Sequence, residues 1–173
     1  MRKRVLIEDV GNGIDATGKH QASLINRLCK LIEARLALKR AAAEALGVTL
    51  IVDIEGEPTL HGDKDLLAGI LANLIDNALK YAGSPAAIKI QVRETTQAVS
   101  IIVQDNGPGI AAQERSKVVQ RFYRLSSNRP GSGLGLSIVS AFTHLHDGTL
   151  FIEDAQPGLK VRIELPKLLA PIS

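Results

Sequence analysis

The chain has 173 residues, 45% of them apolar, 3% aromatic and 23% charged, with a formal net charge of +3. That length and apolar share suit one domain with an aliphatic core and exclude wholesale disorder. The basic residues are scattered rather than gathered into a patch, which argues against nucleic-acid binding, and no apolar run reaches the roughly 18 residues that a membrane span needs. Arg2, Lys3 and Arg4 are basic, but Glu8 and Asp9 interrupt the apolar stretch that a signal peptide requires. The single cysteine, Cys29, has no partner for an internal disulfide and falls on an apolar helical face, so it reads as packing.

In chain order, Val5, Leu6, Ile7, Val10 and Ile14 have roughly helical spacing, interrupted by Gly11 and Gly13. A stronger helix is expected over 21–46, where Leu24, Ile25, Leu28, Leu31, Ile32, Leu36 and Leu38 interleave with charges and Gly47 is a natural stop. Val48 to Ile54 reads as a strand, and Thr59 to His61 as a short second one. Asp63 is a suitable N-cap for a helix running to Tyr81. Leu67, Ile70, Leu71, Leu74, Ile75 and Ala78 form its apolar face, while Asn73, Asn77 and Lys80 share another.

Ile88, Ile90 and Val92 alternate with Lys89, Gln91 and Arg93, a strand with one wet face, and a second strand over 99–103 leads to Asp105. A short helical piece is expected over 111–120, followed by a polar segment of small residues from 125 to 132. Gly133 to Val139 opens a last helix ending near His146, and two strands, 150–153 and 159–165, close the chain as a hairpin around Gln-Pro-Gly. The sum is a two-layer α/β sandwich: a mixed sheet of about five strands with three main helices on one face.

Three stretches have chemistry available to a nucleotide. In Asp105-Asn-Gly-Pro-Gly-Ile110 an acid ends a buried strand, and Gly107 and Gly109 let the backbone pass close to a ligand. An acceptor-only carboxylate there suits an exocyclic amine such as that of adenine, although Asp-Asn-Gly is also ordinary turn chemistry. Asn77 offers a neutral oxygen fit for Mg²⁺ that still holds phosphate oxygens and water, and Lys80, one turn on, can meet phosphate charge. Gly131-Ser-Gly-Leu-Gly135 leads into a helix N-terminus, which favours anions. It is neither a Walker loop, since no Gly-Lys-Ser/Thr follows, nor a dinucleotide fingerprint, since no strand precedes it. Each stretch also has a plainer reading, as surface asparagines, a solvated lysine or a flexible linker.

Together and in this order the motifs resemble the ATP-binding catalytic domain of sensor histidine kinases, within the GHKL superfamily and its Bergerat fold. Asn73-Leu-Ile-Asp-Asn-Ala-Leu-Lys-Tyr81 resembles the N box, Asp105-Asn-Gly-Pro-Gly109 the first glycine box, Arg121-Phe-Tyr-Arg124 the F box, and Gly131-Ser-Gly-Leu-Gly-Leu136 the second glycine box. The resemblance covers about residues 21 to 168, with 169–173 a tail and 1–20 resembling the end of a second dimerisation helix. It implies that Asn77 binds Mg²⁺, that Asp105 binds the adenine amine, and that Tyr81 and Ile110 line the base pocket. It also implies that Asn73, Lys80 and Arg124 face the phosphates, that Gly107, Gly109, Gly131, Gly133, Leu134, Gly135 and Leu136 shape the nucleotide site, and that residues between Arg124 and Gly133 form a short lid.

The reaction implied is phosphoryl transfer from MgATP to a histidine on a dimerisation domain, with a response regulator downstream. None of the four histidines sits in a phosphoacceptor helix of that kind: His20 is followed by Gln21, His61 lies on a strand, and His144 and His146 end a helix. The resemblance therefore implies a cytoplasmic piece of a kinase anchored in the bacterial inner membrane, without membrane contact of its own, and a monomer or weak dimer as it stands. Three rivals share the pocket. A hydrolase of the gyrase, MutL or Hsp90 kind has a glutamate where Asn73 stands; an anti-sigma-type serine kinase phosphorylates a protein partner; a pseudokinase module binds nucleotide only.

Overall fold

The computed structural model describes residues 3–5, 25–45, 47–56, 58–61, 64–83, 85–125 and 132–167. Six strands, β1 (Lys3–Val5), β3 (Thr49–Ile54), β5 (Ala87–Glu94), β6 (Ala98–Asp105), β7 (Thr149–Asp154) and β8 (Leu159–Pro166), form one sheet in the order β1-β3-β5-β6-β8-β7. A separate ribbon pairs β2 (Ile25–Arg27) with β4 (Thr59–His61). The helices are α1 (Leu28–Ala45), α2 (Lys64–Tyr81) and α3 (Gly135–Leu145). Strands β3 and β5 run parallel, with Thr49 opposite Ala87, because α2 carries the chain back along the sheet between them; the other pairings are antiparallel. The five expected strands, β3, β5, β6, β8 and β7, thus make the mixed sheet, and β1 adds an edge.

Alternation decides which face is covered. Ile88, Ile90 and Val92 of β5, Val99, Ile101 and Val103 of β6, and Val161, Ile163 and Leu165 of β8 are all buried. The residues between them stay partly exposed and carry charge pairs: Arg93 Nη2 lies 2.6 Å from Asp53 Oδ2, and Arg162 Nη2 lies 2.8 Å from Glu153 Oε1. All three helices therefore pack on one face. On α2 the buried residues are Leu67, Ile70, Leu71, Leu74, Ile75 and Ala78, the i, i+3, i+4, i+7 stripe read from the sequence. Each fully buried Leu or Ile contributes about 1.5–3 kcal/mol relative to exposure, so this one stripe is a large part of what holds the helix layer to the sheet.

Three expectations need correction. Lys3–Val5 is not helical but pairs antiparallel with β3, Arg4 opposite Asp53, satisfying the otherwise open edge of that strand; the rest of 1–20, the tail 169–173 and the expected N-cap Asp63 lie outside the described residues. The helix expected from 21 begins at Leu28, because Ile25–Arg27 pairs with β4 instead. Only Ala112–Glu114 of the 111–120 piece is helical, a single 3₁₀ turn followed by further turns. That turn buries no residue and its N-cap has no side-chain hydrogen bond, so nothing extends it into an α-helix.

Candidate functional site

The period of β6 that buries Val99, Ile101 and Val103 also delivers Asp105 to the covered face, where it is 5% exposed. Its Oδ1 accepts from the backbone N–H of Gly107 at 2.8 Å and of Leu159 at 3.3 Å. Both donors go to one oxygen, which leaves Oδ2 as the acceptor for a ligand. Burial, the largest influence, pushes the carboxyl above its ordinary range, while the Gly107 and Leu159 N–H groups pull the other way.

The loop after Asp105 is held by backbone proximity. A Cβ on Gly107 would fall on the Tyr81 carbonyl oxygen, and one on Gly158 would fall on the Asp105 carbonyl. Gly109, at φ +70°, faces the Gly158 carbonyl, which a Cβ would meet at 2.8 Å. Asn106 braces the same loop from outside. Its Oδ1 accepts from Gly83 N (3.1 Å) and Ala87 N (2.9 Å), and its Nδ2 donates to Pro85 O (2.7 Å). The α2–β5 turn, the glycine loop and the β7–β8 hairpin are thereby locked to one another.

A cavity of about 640 Å³ opens between this loop, α2 and α3, within the size range of small-molecule sites. From α2 it is lined by Asn73, Asp76, Asn77, Lys80 and Tyr81, with Asp76 paired to Lys39 at 2.7 Å; from the first glycine loop by Asp105, Gly109 and Ile110; from the far side by Arg124, Gly133, Gly135 and Leu136. Asn73 to Tyr81 spans about 12 Å of helix and sets the cavity's long axis. At one end the backbone of Tyr81 meets Gly107; at the other, a Cβ on Gly135 would lie 3.3 Å from Asn77 Nδ2 and 3.5 Å from Asn73 Oδ1. Lys80 Nζ sits over the Tyr81 ring, 4.9 Å from its centroid. Asn73 donates its Nδ2 to the Gly69 carbonyl at 3.0 Å, which fixes the amide.

The far wall closes on itself: Phe122 N donates to the Gly133 carbonyl at 3.1 Å, with Phe122 at φ +63° and Gly133 at φ +71°. Leu134 is the N-cap of α3 and makes no side-chain cap bond, so the first-turn N–H groups of that helix are not taken by a cap. A buried carboxylate with one open oxygen thus stands at one end of the cavity, while cationic side chains, the Lys39-paired Asp76 and a helix N-terminus line the rest.

Of the residues singled out in the sequence, Gly107 and Leu134 are not among those that line the cavity, and Gly131 lies outside the described residues. The sequence reading missed Leu159, whose N–H reaches Asp105 across 54 residues, and Gly158 beside it. The Gln-Pro-Gly turn signalled a hairpin there but not its contact with the strand end. It also missed Tyr123 as a lining residue, whose hydroxyl donates to the Glu114 carboxylate. That bond, with Lys117 at 2.9 Å, holds the Glu114 carboxyl below its ordinary range. His146 stacks on Phe142 at 4.1 Å, with Nδ1 3.1 Å from the Phe142 carbonyl, a packing role.

Residues 62–169 match the family described as histidine kinase-, DNA gyrase B-, and HSP90-like ATPase. The signal transduction histidine-protein kinase AfsQ2 of Streptomyces coelicolor is 42% identical over 69% of this chain and 23% of its own length. The signal transduction histidine-protein kinase/phosphatase MprB of Mycobacterium ulcerans is 36% identical over 86% of this chain and 30% of its own. The chain thus spans under a third of these relatives. A solved mycobacterial sensor histidine kinase MprB superposes with a TM-score of 0.74 and 28% identity, covering 84% of this chain and 98% of that one. No helix among the described residues is long and apolar enough to cross a membrane. The chain therefore belongs to the histidine kinase-, DNA gyrase B-, and HSP90-like ATPase family and carries the ATP-binding domain of its sensor histidine kinase branch.

Proposed function

We propose that this domain binds MgATP and transfers the γ-phosphoryl group to a histidine of a dimerisation domain outside this sequence, from which it passes to a response regulator. The observation that carries the reading is the polarity of the cavity, with the single open acceptor of Asp105 at one end and Asn73, Asn77, Lys80 and the α3 N-terminus along the rest. Adenine has a donor amine at one end and ATP its phosphates at the other, so the nucleotide runs in one direction only. Asp105 Oδ2 accepts from the amine, with Ile110 and Tyr81 beside the ring. Lys80 and Arg124 neutralise phosphate charge, the dominant task in phosphoryl transfer.

A divalent ion fits this donor set. Among the described residues no group of three or more His, Cys, Asp or Glu is placed to hold one. A single neutral Asn77 oxygen suits Mg²⁺ that arrives with its phosphates and water, and when bound it screens their charge. In the transfer the bond between γ-phosphorus and the bridging oxygen breaks, a nitrogen–phosphorus bond forms on the acceptor, and ADP leaves.

Hydrolysis is the weaker reading. It needs a base near the γ-phosphate to activate water, and Asn73, with its amide turned to Gly69, accepts no proton. Calorimetric titration with a non-hydrolysable ATP analogue, with and without Mg²⁺, tests the binding. Labelled ATP with a separate dimerisation domain tests the transfer. Mg²⁺-dependent binding and label on histidine are expected. Label on serine favours the serine-kinase reading, binding without transfer favours a nucleotide-binding module, and no binding overturns the assignment.

A further inference from the structure

Resting on the ATP-binding reading, we infer that Arg115 is a positioning residue that sets the adenine end of the pocket by holding the backbone of Ile110. Its Nε donates to the Ile110 carbonyl at 2.9 Å, and its Nη2 lies 3.1 Å from Asp154 Oδ2. Asp154 in turn accepts the Gln156 N–H on Oδ1 at 3.1 Å, at the tip of the β7–β8 hairpin. Two and three residues further on, Gly158 and Leu159 touch the Asp105 loop. The two ends of the glycine loop, Asp105 and Ile110, are thus tied to the same hairpin, one by backbone and one through a guanidinium.

The glycines give this loop freedom as well as close approach, so its exit needs a fixed point. Gly109 sits at φ +70° immediately before Ile110, and the turn that follows is only three residues long and buries nothing. Arg115 is the side chain that returns from beyond that turn to the cavity wall. A planar fork with donors at fixed angles can meet the carbonyl and the carboxylate together, whereas one lysine ammonium on a flexible stem cannot hold both. The two contacts are unequal. Arg115 is 26% exposed and its bond to Ile110 is partly buried, while Asp154 is 50% exposed and its pairing with Arg115 is a surface ion pair of small worth. The Ile110 bond therefore carries the positioning, and Asp154 aims the fork.

The test compares the full chain with Arg115→Lys and Asp154→Asn, measuring ATP and GTP affinity by calorimetry and the melting temperature of each protein. Expected is a loss of ATP affinity of roughly five- to tenfold in Arg115→Lys, a reduced preference for ATP over GTP, an unchanged melting temperature, and a change under about twofold in Asp154→Asn. Selectivity is the decisive readout, because loose packing elsewhere would weaken both nucleotides in parallel. Wild-type ATP affinity and selectivity in Arg115→Lys overturn the inference, as does a parallel loss of both nucleotides that tracks a lowered melting temperature. If the unmodified chain binds ATP, either result leaves the functional reading standing; if it binds neither nucleotide, that reading fails first and the inference with it.

Discussion

The two ends of the cavity are built differently. At the Asp105 end, backbone packs on backbone: Gly107 against Tyr81, Gly158 against Asp105, Gly109 against Gly158, with no room for a Cβ. At the other end Asn73 and Asn77 face α3 from one helix, with Lys80 Nζ over the Tyr81 ring, and a Cβ on Gly135 would meet only side-chain atoms, Asn77 Nδ2 at 3.3 Å and Asn73 Oδ1 at 3.5 Å. A socket made of main chain is rigid and tolerates little substitution. A surface made of side chains is adjustable, and each residue there can be removed without unseating its neighbours. On the proposed reading, shape serves the base and charge the phosphates.

The largest effect that would break this contrast is at Gly158. Gly158→Ala places a methyl on the Asp105 carbonyl at a residue with φ +112°, so a loss of about 3 kcal/mol or more in denaturant unfolding is expected, with nucleotide binding lost alongside. A melt like that of the parent would mean the main-chain socket yields. Next comes Asp105→Asn, expected to lower ATP affinity roughly 100-fold by presenting a donor to a donor.

That same variant should not lose stability. Asp105 has a raised folded-state pKa, so the folded chain holds its proton more tightly than the unfolded one. The stability it contributes is complete below the ordinary value of 3.8 and is lost as pH rises through the raised one. A neutral asparagine recovers it at pH 7, and chemical denaturation side by side with binding checks both signs. Asn77→Ala sharpens the contrast from the other end: about a tenfold loss confined to the Mg²⁺-dependent part of affinity, with the unfolding curve unmoved. Destabilisation as large as that of Gly158→Ala would erase the distinction between the two ends. The smallest effect is on pH: ATP affinity should begin to fall on acidification above pH 3.8, as Asp105 takes up its proton, and calorimetry over a pH series would show it absent in Asp105→Asn.

The side-chain end was the more legible of the two. Helical spacing puts Asn73, Asn77 and Lys80 on one face and the motif resemblance gives them a role, and the buried stripe of α2 appears residue for residue. Period-2 alternation likewise placed β5 and β8, and a continuous apolar run placed β6, leading to Asp105 at its end. The main-chain end was legible only in half. Gly107 and Gly109 marked a loop, but Gly158 and Leu159 meet it through a contact 54 residues away that no local pattern carries. Three-residue strands such as β1 and β2 are too short to show any period, so their pairing partners decide them. Arg115 reads as one more surface charge until the Ile110 carbonyl is seen beside it.

Asn106-Gly107 is also a chemically fragile pair, since a backbone nitrogen with no side chain beside it can attack the preceding carboxamide and expel ammonia, closing a cyclic imide that water opens to an aspartate or its isomer. In the folded chain both partners are engaged. The Asn106 carboxamide is held at Oδ1 and Nδ2 by the α2–β5 turn, and the Gly107 N–H is bonded to Asp105 Oδ1. Ageing at this bond therefore requires the socket to open first. The rate at which Asn106 converts, followed by mass as the protein is stored, becomes a clock for how often the empty site breathes, and a bound nucleotide should slow it.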